Sequence, residues 1–305
     1  MRIGFALPQM GPIATPKTVT QVAQKAEALG YDSLWVLDRL LYPVKPQTPY
    51  VGTPDGSLPD VYKRVLDPVE TLTFAAAHTT RIALGTSVLD IPFYHPVVLA
   101  RQLTTLDVLS GGRLRVGFGL GWSKDEFDAV GASARERGRR ADEFIKVLKA
   151  IWTTDPVEFH GTYYHVPRSV IGLKPVQKPH PPIYLAAYAP AALKRAATLA
   201  NGWLPVGVPV EGMAQMMTHL REMAKAAGRD PSTLELVVRA NLHVTAQPLG
   251  ADRWIFSGSL DQIKADVDRV RALGANEVFF DPTFSPDAQT AEAYLASMER
   301  IRRLV

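Results

Sequence analysis

Two clusters of small residues, Gly85-Thr86-Ser87 and Gly117-Phe118-Gly119-Leu120-Gly121, follow apolar runs about thirty residues apart, and an acid beside a base, Asp38-Arg39, closes a third such run, Ser33–Leu37. Glycine and small residues leave room where backbone must approach another group closely. One cluster alone is equally well explained by a bulge or turn; two at neighbouring strand ends point to a ligand laid across them. The alternatives that bring reactivity from side chains find little support. The seven histidines stand at 78, 95, 160, 165, 180, 219 and 243 without H-x-H or H-x-x-x-H pairing, and there is no cysteine and no G-x-S-x-G turn. No metal site is expected, and the remaining chemistry is that of an organic cofactor.

The elements that must position these residues are legible from periodicity. Ile82–Val88, Pro96–Leu109 and Leu114–Phe118 read as strand, helix and strand, with Pro96 at the first helical position and Gly111-Gly112 ending the helix. That is a βαβ unit. Further strands are expected at Arg2–Leu7, Ser33–Leu37, Ile183–Ala186, Trp203–Val206, Leu234–Val238 and Glu277–Phe280. Helices between them begin at Thr15-Pro16, at Asp67-Pro68-Val69-Glu70 and at Ser259-x-x-Gln262, each with a capping signature. Met213, Met216, Met217, Leu220 and Met223 form one helical face, a core stripe in this reading. Eight strand–helix alternations with no linker predict an α/β fold, a single (β/α)8 barrel over residues 1–305. No G-x-G-x-x-G follows the first strand, which disfavours a dinucleotide-binding sheet.

Two segments break the alternation. Leu40–Leu66 lacks periodicity and holds five prolines, a long excursion at a strand end, and such loops commonly serve a function. Residues 155–182 read as an insertion before strand five: a hairpin over Val157–Val166 about Gly161, then Lys174–Pro182 with four prolines. With 47% hydrophobic and 21% charged residues, the chain suits a protein with a large core. Its net charge of +4 is dispersed, and the densest cluster, Arg135–Arg140, opens an amphipathic helix, so nucleic acid is not an expected partner. No apolar run is long enough to span a bilayer and no leader precedes the first strand, so no membrane partner and a cytoplasmic location are expected. A homodimer is compatible with this reading.

In a barrel the site lies at the C-terminal ends of the strands. Those ends present Gln9, Asp38-Arg39, Thr86-Ser87, Gly117–Trp122, Ala187-Tyr188, Asn241-x-His243 and Asp281. Ala187-Tyr188-Ala189-Pro190 leads into a helix, so free amides and a positive helix end face the mouth, a geometry suited to phosphate.

The run Thr86-Ser87-Val88 through His95-Pro96, then Thr105–Leu114 and Gly117-x-Gly-x-Gly-Trp122, resembles the luciferase-like monooxygenase superfamily, in particular its branch using the deazaflavin coenzyme F420. The resemblance implies a barrel of the bacterial luciferase type and a cofactor ring resting on Thr86, Ser87, Val88, Gly119, Gly121 and Trp122. It also implies a cis peptide at Ser87-Val88 and a phosphate at Ala187, Tyr188 and Ala189. The chain departs from the family pattern where Arg39 replaces a histidine that many members carry, and where Leu120 stands at a position several F420 enzymes give to glutamate. Asp38 and Arg39 remain as catalytic candidates, Arg39 as a fixed charge able to stabilise an anionic ring or substrate. On that functional reading Arg39→Ala should weaken cofactor or substrate binding by roughly 1–3 kcal/mol while melting hardly moves. The alternative is an ion pair with Asp38 or an acid of the long segment, a surface contact usually worth under about 1 kcal/mol.

The function implied is hydride transfer between F420 and a small organic substrate under Leu40–Leu66. An FMNH2-dependent monooxygenase is the alternative, and a flavin- or deazaflavin-binding barrel without turnover is a second.

Overall fold

The computed structural model describes residues 1–305. Its strands are β1 (Arg2–Ala6), β2 (Ser33–Val36), β3 (Ala83–Thr86), β4 (Leu89–Asp90), β5 (Leu114–Gly119), β6 (Val157–His160), β7 (His165–Ser169), β8 (Ile183–Leu185), β9 (Gly202–Trp203), β10 (Glu235–Asn241), β11 (His243–Val244), β12 (Ser257–Gly258) and β13 (Glu277–Asp281). The helices are α1 (Pro16–Ala28), α2 (Pro68–Ala77), α3 (Pro96–Leu109), α4 (Lys124–Ala129), α5 (Arg137–Thr153), α6 (Pro190–Leu199), α7 (Val210–Ala226), α8 (Leu260–Ala272) and α9 (Ala291–Leu304).

Eight strands pair in parallel in the order β3-β2-β1-β13-β10-β9-β8-β5, and β3 pairs with β5 to close the ring. This is the expected (β/α)8 barrel. The third strand is interrupted: β3 stops at Thr86, the Ser87-Val88 peptide is cis, and β4 resumes against the end of β5. Residues 157–169 form the expected antiparallel hairpin. Strand six is shorter than its apolar run, Gly202–Trp203 with a single bridge at Val206, and strand seven extends further, to Asn241.

Alternation along the strands sorts outward apolar residues from inward ones. Ile3, Phe5, Leu34, Val36, Val238, Val278 and Phe280 join the main core between strands and helices. The opposite set fills the barrel in layers. At the floor, buried Glu277 receives Arg2, Arg115, Ser33 and Trp35. Above it, Trp35 stacks on Phe279 at 4.6 Å between ring centres, beside Tyr184, Val237 and Leu204. Glycine is required here by space. A Cβ on Gly85 would stand 2.4 Å from the Trp35 ring, and one on Gly4 2.7 Å from Phe279 Cβ. On Gly117 it would meet the Thr86 carbonyl at 2.1 Å. These glycines therefore admit the barrel's own tryptophan and strand pairing. The top layer, the mouth, holds Ala6, Ser87, Arg239 and Asp281.

Candidate functional site

Arg239 and Asp281 lie on the inward rows of β10 and β13, two residues above Val237 and Phe279, so strand alternation aims both into the mouth. Arg239 Nη2 pairs with Asp281 Oδ2 at 2.6 Å, Nη1 donates to the Ser87 carbonyl at 2.9 Å, and Nε donates to Asn241 Oδ1 at 3.0 Å. One guanidinium thus ties the seventh and eighth barrel strands to the break in the third. Burial opposes its charge, and the Asp281 carboxylate together with the hydroxyls of Tyr62 and Tyr50 outweighs that, leaving its pKa raised.

A second cluster joins the ends of β2, β4 and β5. Asp38 is buried; its Oδ2 accepts from the Tyr94 hydroxyl at 2.8 Å and from the Asp90 amide at 3.2 Å. Asp90 Oδ1 accepts from the Gly121 amide at 2.7 Å, and Gly121 adopts φ +67°. Burial pushes the Asp38 carboxyl up to about 6. Burial, then the neighbouring Asp38, pushes Asp90 up to about 8. Gly119 lies against this pair: a Cβ there would come within 2.5 Å of Asp90 Oδ1 and of Val88.

Arg39 turns from Asp38 toward α4. Its Nη1 lies 3.1 Å from Glu126 Oε2, and its guanidinium carbon lies 5.1 Å from the ring centre of Tyr62 and 4.7 Å from that of Trp122. Its Nε and Nη2 are buried without a hydrogen-bond partner. Glu126, its own pKa raised by burial, also accepts from the Leu40 amide at 2.8 Å and so anchors the start of the long segment. That segment is held at both ends, because Gln9 Nε2 donates to the carbonyls of Leu37 and Leu66 at 2.9 and 3.0 Å. Tyr50, Tyr62, Trp122 and Phe284 pack together above the mouth.

The sequence candidates therefore divide by what the structure gives them. Asp38, Gly119 and Gly121 share one cluster with Asp90; Arg39 and Trp122 share another with Glu126; Ser87 is held by Arg239. Gln9 and Thr86 are engaged in the scaffold, Thr86 Oγ1 lying 2.9 Å from both the amide and the carbonyl of Gly117. Ala187 is buried, its carbonyl accepting from Trp203 Nε1 at 2.8 Å, and the Tyr188 hydroxyl accepts from the Val206 amide at 3.0 Å. Ala189 caps α6 without a side-chain bond, so no side chain competes for the first-turn amides. Sequence reading did not single out Arg239, Asp90, Tyr94 or Glu126. The alternation Val237-x-Arg239-x-Asn241 carried the signal for Arg239; Asp90 and Glu126 depend on the strand break and on α4, which leave no periodic trace.

A cavity of about 590 Å³ opens beside Arg239, between the long segment and residues 249–257, with Tyr50, Asn241, His243, Trp254 and Phe284 among its lining residues. No group of three metal-ligating side chains is present, and no helix is long and apolar enough to cross a membrane.

The third strand is broken at Ser87-Val88, the fourth carries Gly117, Gly119 and Gly121 toward the mouth, and the helix after the fifth has no side-chain cap. An uncharacterized protein of Mycobacterium tuberculosis is 34% identical over 265 residues, 84% of this chain and 93% of its own length. An F420-dependent glucose-6-phosphate dehydrogenase of Amycolatopsis mediterranei is 30% identical over 235 residues, 74% of this chain and 65% of that one. An FMNH2-dependent dimethylsulfone monooxygenase of Pseudomonas putida is 36% identical over 155 residues, 50% of this chain and 42% of that one. A monooxygenase structure from Streptomyces bottropensis superposes with a TM-score of 0.81 at 23% identity, covering 100% of this chain and 98% of that one. The family model described as luciferase-like monooxygenase matches residues 1–302, and the chain belongs to that family.

Proposed function

We propose that the protein is an F420-dependent oxidoreductase passing hydride between coenzyme F420 and a small organic substrate held under the Leu40–Leu66 segment. The observation that carries this reading is the pairing of Asp38, buried, with Asp90, half-buried, at the ends of the second and third strands. Reducing a carbonyl by hydride leaves an oxygen that needs a proton, and the reverse reaction needs a base. With Asp38 raised to about 6 and Asp90 to about 8, the pair holds a proton near neutral pH and can release or take one there. The missing histidine and glutamate are thus answered by a different acid–base group. Arg39, with two donors unpartnered, supplies fixed positive charge.

When bound, F420 supplies the two-electron hydride centre. Thr86, Ser87, Val88, Gly119, Gly121 and Trp122 are the residues that would hold its ring, and Ala187, Tyr188 and Ala189 its phosphate. Arg239 fixes the Ser87 carbonyl, so the seat of the ring is set before binding. The F420-dependent relative aligns over 74% of the chain at 30% identity and the FMNH2-dependent one over 50% at 36%, so the preference for F420 leans on coverage.

The test is titration of the full chain with F420 and with FMN, followed by fluorescence quenching. Tighter binding of F420 is expected, with no oxygen consumption by the reduced complex. Equal affinities, or FMN copurifying in stoichiometric amount, would overturn the assignment in favour of the FMNH2-dependent monooxygenase.

A further inference from the structure

We propose that the cavity of about 590 Å³ beside Arg239 takes a flat aromatic or polycyclic substrate bearing an oxygen acceptor, and that it rejects cations. The proposal rests on the oxidoreductase reading in assigning the occupant as substrate, and neither Asp38 nor Asp90 is among the residues that line the cavity.

The rings come from three separate segments: Tyr50 from the long segment, Trp254 from the loop before β12, and Phe284 from the turn after β13. Trp254 is 63% exposed, an unusual place for an indole. Its ring is nonetheless positioned, because it lies over Gly207, where φ is +68° and a Cβ would stand 3.1 Å from Trp254 Cζ3. The loop beneath it is fixed by Arg253, which grips Asp266 through two bonds of 2.6 and 2.8 Å. An exposed ring held in place at a cavity edge is a stacking surface.

The polar lining is one-sided. None of the lining residues is an aspartate or a glutamate, although the adjoining cleft includes Glu211, Asp252 and Asp266. A cation entering the cavity would lose water and meet Arg239 and Arg253 but no carboxylate, with only the ring faces to attract it. Asn241 Oδ1 accepts from Arg239 Nε, which leaves the two N–H donors of its amide free for a ligand. His243 lies two residues further on in the same lining. These groups suit a carboxylate, phenolate or carbonyl oxygen, with the rings stacking on the remainder of the molecule.

The test is calorimetric titration of the full chain, with and without F420, using naphthalene-2-carboxylate, naphthalene-2-methanol and 2-naphthylmethylammonium as probes. The carboxylate is expected to bind saturably at one site and the ammonium at least about tenfold more weakly, with the alcohol between. Trp254→Ala and Asn241→Asp should each weaken the carboxylate by about tenfold. Absence of saturable carboxylate binding, an ammonium bound as tightly, or unchanged affinity in both variants would overturn the proposal. If F420 fails to bind while the probes follow this order, the cofactor reading falls and the pocket chemistry stands; F420 binding without probe binding gives the reverse.

Discussion

Arg39 Nη1 and Glu126 Oε2 lie 3.1 Å apart, and their side chains are 4% and 2% exposed, so the charge at the end of the second strand is a buried ion pair. Its partner comes from α4, eighty-odd residues away, and not from Asp38 or the long segment. Removing one member of such a pair strands the other in a poorly solvated place.

The expectation that Arg39→Ala would leave folding nearly untouched is therefore replaced. Breaking a buried pair typically costs about 3–5 kcal/mol, because the remaining charge is uncompensated. Arg39→Ala should lower stability on that scale in urea denaturation. The double change Arg39→Ala with Glu126→Gln should recover part of it, since no charge is left stranded. An Arg39→Ala protein within about 1 kcal/mol of wild type would show that the pair is solvated after all.

Glycines at the strand ends give a second prediction. Gly85→Ala drives a methyl into the Trp35 ring at 2.4 Å, and Gly117→Ala drives one into the Thr86 carbonyl at 2.1 Å. Overpacking generally costs about 1–3 kcal/mol, more where backbone must move. Both variants should be destabilised, Gly117→Ala the more, whether or not cofactor is present. Equal stability of Gly117→Ala and wild type in thermal melts would contradict this packing.

The barrel was legible because inward and outward residues alternate along strands and helices carry explicit caps: Ser259 and Gln262 form the capping box that their spacing implied. The site was legible in part. Position at a strand end found Asp38, Arg39 and Ser87, but not what each would touch. Glu126 sits on a six-residue helix within a polar stretch, too short for periodicity to reveal. Asp90 reaches the mouth because the third strand breaks at Ser87-Val88, and an unbroken strand over Ile82–Val88 gave no reason to look beyond it. The glycines, read as room for a ligand, are at Gly85 and Gly117 room for the protein itself.

The carboxyl pair predicts a pH dependence of known sign. Asp38 moves from an ordinary value of 3.8 to about 6 on folding, so between those values the folded state binds more protons than the unfolded one. Stability from this group is then fully present below 3.8 and lost as pH rises through 6. The elevated Asp90 extends the same trend toward 8. Wild type should lose up to about 3 kcal/mol relative to Asp38→Asn between pH 4 and pH 7, at 1.36 kcal/mol per pKa unit. Denaturation of both proteins across that range measures the difference directly, and a flat or rising difference would remove the shifted carboxyl from the argument.

Arg239 offers the sharpest separation of charge from geometry. Lysine at this position keeps a cation beside Asp281 but cannot also reach Ser87 and Asn241 with fixed planar donors. Arg239→Lys should cost about 1–3 kcal/mol, the scale of lost charge-assisted hydrogen bonds. Arg239→Met leaves Asp281, 4% exposed in its side chain, without a counter-ion and should cost about 3–5 kcal/mol. The functional consequence follows the other bond. On the proposed function, releasing the Ser87 carbonyl loosens the residues assigned to the cofactor ring, so Arg239→Lys should weaken F420 at temperatures where the variant remains folded. A lysine variant that matches wild type in both stability and F420 affinity would mean that the Asp281 ion pair alone accounts for Arg239, and that the strand break holds its shape without it.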